Sequence, residues 1–167
     1  IMSLPTPHVQ RINTDGIQSL STVQLQALET VDLQALKTTQ IAAITSDQSS
    51  ALTTAQVVAL TTAQAPALST DALQALTTAQ LQALETVDLQ ALKTTQIEAL
   101  TTAQVASLTT SQIVALTTAQ TAAITTDGIQ SLSTVQIQAL ETVDLQALKT
   151  AQVQALSTVQ LQAIKTA

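Results

Sequence analysis

Leucine or isoleucine stands at every eighth position from Ile12 to Ile164, without one insertion. Twenty consecutive octads therefore run from Pro5 to Ile164. In most of them the first position is Ser, Thr, Glu or Lys and the second Thr. The fourth is Gln or Asp, the fifth Leu, Ile or Val, the seventh Ala or Ser, and the eighth Leu or Ile. Ser21–Leu28, Thr53–Leu60 and Thr77–Leu84 are examples. A period this strict rules out one long helix. At about 100° per residue, successive leucines would be offset by about 80°, and no partner could cover a stripe that winds around the rod. A continuous strand fits no better, because the fifth and eighth positions have opposite parity and would face opposite sides.

The period does suit a short helix restarted in every octad. A Thr or Ser followed three residues later by Gln is a capping box: the hydroxyl accepts from the third helical amide, and Gln reaches back to the cap amide. In Thr53–Leu60 this makes Thr53 the N-cap and Gln56 its partner, and it places Val57 and Leu60 on one face with the small Ala59 between them. Asp15, Asp32, Asp71 and Asp88 come early in their octads, where the helix dipole favours an acid. Helices of two turns do not stand alone, so the octads must stack and cover one another's aliphatic pairs. The expected fold is all-α, a repeat α-solenoid of very short capped helices, one per octapeptide. The Thr, Val and Ile content leaves a β-solenoid as the alternative.

A longer period is laid over the octad. Glu-Thr-Val-Asp-Leu-Gln-Ala-Leu occurs at Glu29–Leu36, Glu85–Leu92 and Glu141–Leu148, each copy 56 residues from the next and each followed by a lysine (Lys37, Lys93, Lys149). The domain reading is a terminal tag or remnant over 1–4, one array over 5–164 with super-repeats 13–68, 69–124 and 125–164, and the opening of a truncated further repeat over 165–167. Duplication of a block accounts for the longer period. Alternatively, seven octads make a whole number of superhelical turns and align like charges along one side. The fifth position is atypical at Ser49, Ala65 and Thr121. Pro7 falls in a first helical turn, where proline is tolerated, whereas Pro66 lies inside its octad and predicts a local break.

Charge and composition narrow the function. The net charge is −6, and five basic residues are spread over the whole length, which argues against nucleic-acid binding and a basic membrane-surface helix. No apolar run approaches the ~20 residues of a membrane span. His8 is the one histidine and there is no cysteine, so no Cys-His or repeated His metal site is expected, and His8 reads as a terminal surface residue rather than part of a catalytic triad. Gly16 and Gly128 read as helix-start residues. The pairs Glu29/Asp32, Glu85/Asp88 and Glu141/Asp144 offer too few oxygens for Ca²⁺ within one octad and read as helix-start charges facing the following lysines. The second-position threonines (Thr22, Thr30, Thr54, Thr62, Thr102) form either an ordered hydroxyl array, as in ice-binding proteins, or backbone bonds at the turn between helices. No catalytic, cofactor-binding or metal-ligating residue is assigned, and no enzyme activity or cofactor is expected.

Leu52–Leu60 resembles the opening of repeats in transcription-activator-like effectors, but over nine residues only. The longer repeat, base-reading loops and basic character of that family are missing, so the similarity does not imply DNA binding. Across nearly its whole length the chain resembles the Thr/Gln/Ala/Leu-rich repeat regions of large bacterial secreted or surface proteins. That resemblance implies an extracellular or cell-surface spacer or stalk. The runner-up is a protein-binding solenoid, possible also as a secreted effector, that reads partners through the varied sixth position (Gln26, Ala42, Val58, Gln82, Glu98, Val114), with self-association along the array a further option. Ice or cation binding through the Thr or carboxylate arrays is the remote alternative.

Overall fold

The computed structural model describes residues 9–164. The expectations for 1–4, Pro7, His8 and 165–167 lie outside that range. Among the described residues there are eighteen short α-helices, one 3₁₀ turn and no strand. The chain is an all-α repeat solenoid.

Most octads follow the same path. The first residue is extended, as at Thr77 with φ −65° and ψ 159°. The second to seventh residues coil into a helix such as Thr78–Ala83, and the eighth is extended again, as at Leu84 with φ −63° and ψ 128°. The expected capping boxes are present at Ser21, Thr45, Thr53, Thr77, Thr101, Thr109, Thr117 and Ser133. A lysine side chain has no acceptor, so at Lys37, Lys93 and Lys149 only the reciprocal half forms. There the Gln Oε1 accepts from the lysine N–H at 2.7, 2.8 and 2.6 Å. Helices often end on a left-handed residue, usually Gly. Here each helix leaves through an extended elbow, and no residue in the described range has positive φ. The fold can therefore be written with almost no glycine. Gly16 and Gly128 sit inside first helical turns, their amides donating to the caps Asn13 Oδ1 and Thr125 Oγ1 at 2.8 and 3.1 Å.

The elbows wind the helices into a superhelix. Away from the ends of the described range, a helix packs on the helix three octads before it and the one three octads after it. Its fourth-position Gln reaches one octad further back. Gln56 Nε2 donates to Leu25 O at 2.8 Å and Leu28 O at 3.0 Å. Gln104 does the same to Leu73 O and Leu76 O at 2.9 and 2.8 Å, and Gln112 to Leu81 O and Leu84 O at 2.8 and 2.9 Å. A turn therefore takes between three and four octads, and the partners of the shorter rung are 28 residues apart. The eighth-position carbonyl is an orphan acceptor in the elbow beyond the helix, whereas the fifth-position one also accepts from the eighth-position N–H, as Leu25 O does from Leu28 N at 3.1 Å. One Gln thus caps its own helix through Oε1 and finishes a helix of the previous turn through Nε2.

The fifth and eighth positions fill the narrow interior. Leu33, Leu73, Leu81, Leu89, Ile113 and Ile129 are 0% exposed, and the eighth-position leucines from Leu36 to Leu140 are buried as well. Pro66 distorts its octad as expected: the α-helix is replaced by a 3₁₀ turn at Ala65–Ala67. The damage stays local, because Gln64 still accepts from Thr61 N at 3.0 Å and donates to Leu33 O and Leu36 O at 2.9 and 2.8 Å.

The atypical fifth positions are resolved differently. Ser49 Oγ donates to Ala72 O at 2.6 Å, across the small side chain that replaces Gln in that octad. Ala65 is simply small. Thr121 is 0% exposed, and its hydroxyl has no hydrogen-bond partner. A buried unsatisfied hydroxyl costs about 1–3 kcal/mol, so Thr121→Val should stabilise the fold by about 1–2 kcal/mol. The readout is a higher urea midpoint at unchanged slope; a lower midpoint would show that the hydroxyl is satisfied in solution.

Candidate functional site

The acidic pairs separate in the structure. Glu29, Glu85 and Glu141 stand exposed at the N-caps without a side-chain cap bond. Asp32, Asp88 and Asp144 occupy the fourth position and are buried at 3, 2 and 3% exposure. They are at helix starts, as expected, but they point into the seam between turns where Gln stands in most octads. A burial of this kind could have been read from the pattern, since Asp replaces the clamp residue in those octads. No ion pair joins these acids to Lys37, Lys93 or Lys149 among the described residues, so the expected facing of acid and lysine is not a contact. Nor is there a group of three or more His, Cys, Asp or Glu side chains placed to share a metal ion among the described residues.

Asp88 is the most distinctive of the three. Burial pushes its carboxyl above the usual value of 3.8, a hydrogen bond with Thr62 three octads earlier partly opposes the rise, and Glu85 adds to it. The folded chain therefore holds this proton more tightly than the unfolded chain does. Asp88 contributes stability below the usual value, and that contribution is lost as pH rises through the raised one. Asp88→Asn retains an acceptor for Thr62 and adds a donor. We expect it to raise the urea midpoint at pH 7 and to flatten the pH dependence above pH 4. An unchanged profile would mean that Asp88 stays well hydrated.

The remaining candidates belong to the surface. Thr30, Thr54, Thr62 and Thr102 are exposed and Thr22 is partly so. The hydroxyl that bonds the backbone is the first-position one, not theirs. The sixth position is exposed throughout the set Gln26, Ala42, Val58, Gln82, Glu98 and Val114. Two of these are structural nonetheless, since Gln26 Nε2 donates to Ala51 O at 2.6 Å and Gln82 Nε2 to Ser107 O at 2.7 Å. A shallow, open hollow near the first described turn is lined by Arg11, Asn13, Lys37 and Gln40 among others. No helix among the described residues is long and apolar enough to cross a membrane.

The hexapeptide Ala-Leu-Thr-Thr-Ala-Gln recurs at Ala51–Gln56, Ala59–Gln64, Ala75–Gln80, Ala99–Gln104 and Ala115–Gln120. Structurally it is the elbow together with the glutamine clamp. No curated protein and no solved structure matches the chain. The family model described as the ALTTAQ repeat matches residues 25–62, 81–118 and 137–167, with starting points 56 residues apart. On those three tandem matches, the chain belongs to the ALTTAQ repeat family.

Proposed function

We propose that this chain is a structural spacer module, without catalysis, of a larger protein. The observation that supports this reading is the glutamine clamp. It joins turn to turn by one recurring bond, from Gln Nε2 to the eighth-position carbonyl 28 residues earlier, so turns can be added without altering any existing contact. Of the seventeen buried polar side chains among the described residues, twelve are glutamines of this clamp. The resemblance to repeat regions of large bacterial secreted and surface proteins supports an extracellular or cell-surface setting.

The test is length. Removing residues 69–124 should leave a folded array shortened by two turns, about 16–20 Å if turns stack at helix-packing distance. Duplicating the same block should lengthen it equally. Small-angle scattering of the three proteins measures this. A maximum dimension that does not track the block number would remove the spacer reading.

A further inference from the structure

Fifth- and fourth-position residues 23 places apart meet between turns. Ser49 Oγ donates to Ala72 O at 2.6 Å, and Val105 Cγ2 stands 3.4 Å from where a Cβ on Gly128 would lie. In both cases a fifth-position side chain faces the fourth position of the helix three octads later. The elements that carry two further pairs pack in the same way. Thr118–Ala123, with Thr121, packs on Thr142–Gln146, with Asp144. The turn Ala65–Ala67 packs on Thr86–Ala91, with Asp88.

The residues at these two positions vary together. From Asp32 onward, five fourth positions are not Gln. Ala72 and Gly128 have Ser49 and Val105 at the place 23 residues earlier, and Asp32, Asp88 and Asp144 have Val9, Ala65 and Thr121. None of the five earlier residues is Leu or Ile. Before the twelve glutamines from Gln40 to Gln160, that place holds Leu or Ile eleven times, with Val57 the exception. The small or polar fifth positions Ser49, Ala65 and Thr121 therefore all face an octad without the clamp. Packing explains the match. Two small residues let the helices close directly, as Ser49 does on the Ala72 backbone. Where the fourth residue is Asp, a partner smaller than Leu keeps apolar bulk off the buried carboxylate, whose desolvation is costly.

We infer that these matched pairs are register keys, which make the 28-residue turn the one winding that suits every octad. The ordinary octad does not select it. A turn one octad shorter or longer would still bring a fourth-position Gln to an eighth-position carbonyl at most places, because both recur every eight residues. The same slip would set Ser49 opposite Gln64 or Gln80, and Thr121 opposite Gln136 or Gln152. It would also press Ile129 or Ile113 against Asp144. A unique native winding needs such a gap between the correct packing and its competitors. The 56-residue period gains a role beyond duplication, since a whole block is what the array can gain or lose without mismatching a key.

A double-mutant cycle on the full chain tests this. Ser49→Leu alone should lower the urea midpoint by about 0.5 M or more. Made together with Ala72→Gln, which copies the ordinary pairing of Leu73 with Gln96, it should no longer lower it. An equal effect of Ser49→Leu with and without Ala72→Gln overturns the proposal. Two deletions give a second measurement. Removing residues 69–124 keeps Ser49 opposite Gly128 and Ala65 opposite Asp144, whereas removing residues 69–116 sets them opposite Gln120 and Gln136. The second array is one octad longer, and added repeats ordinarily stabilise a solenoid. It should nevertheless unfold at the lower urea concentration. A midpoint equal to or above that of the shorter array overturns the proposal as well.

Discussion

Gln104→Leu should lower the stability of the array by about 2–4 kcal/mol, although it places an apolar side chain of similar size in a buried position. The native side chain accepts from Thr101 N at 3.0 Å and donates to Leu73 O at 2.9 Å and Leu76 O at 2.8 Å. Leucine makes none of these bonds: Leu76 O is buried without a donor, at about 1–3 kcal/mol, and Leu73 O is left with the Leu76 N–H alone, at 3.2 Å. Gln104→Glu separates the two ends of the clamp, because a carboxylate can still accept from Thr101 but cannot donate. It should be as damaging as leucine at neutral pH and recover in acid, when the protonated group regains a donor. Urea unfolding at pH 7 and pH 4 checks both variants. A glutamate tolerated at pH 7 would show that the donor is dispensable.

Ile113→Ala should cost about 2–5 kcal/mol, the range for emptying a fully enclosed aliphatic site. Ile113 is 0% exposed, on a helix clasped between those three octads before and after it. The chain holds no aromatic residue that could swing into the gap. Val114, the next residue, is 50% exposed, and Val114→Ala in dilute solution should change stability by less than about 0.5 kcal/mol. Equal urea midpoints for the two variants would contradict the inside-outside division of the octad.

Much of this fold is legible in the octad itself. The Thr-x-x-Gln spacing specifies the cap, and the fifth and eighth positions specify the apolar face, because both depend on neighbours within one helical turn. Pro66 is legible for the same reason: its ring acts on its own octad. The second role of Gln56 or Gln104 is not, since its acceptors lie 28 and 31 residues away and the octad repeats eight residues apart. Asp88 reads correctly as a helix-start acid, but its burial is not legible for a related reason. Only the winding shows that the fourth position faces another turn. At the sixth position, variation from Gln26 to Val58 suggests a reading surface, yet the glutamines there bond to Ala51 and Ser107. A repeat pattern reports which residues share an environment, and it leaves open what lies across the seam.

Because a turn takes neither three octads nor four, the joints of one course do not sit above the joints of the course below. The helix Thr94–Glu98 packs on Thr70–Ala75, while its Gln96 is fastened to Leu68 O at 2.7 Å in the preceding octad. It straddles the joint as a brick does in a running bond. The weak unit at Pro66 is therefore spanned from above, and a crack opening there has no straight path along the wall. A tether built this way should yield course by course from a free end rather than snap at its weakest block.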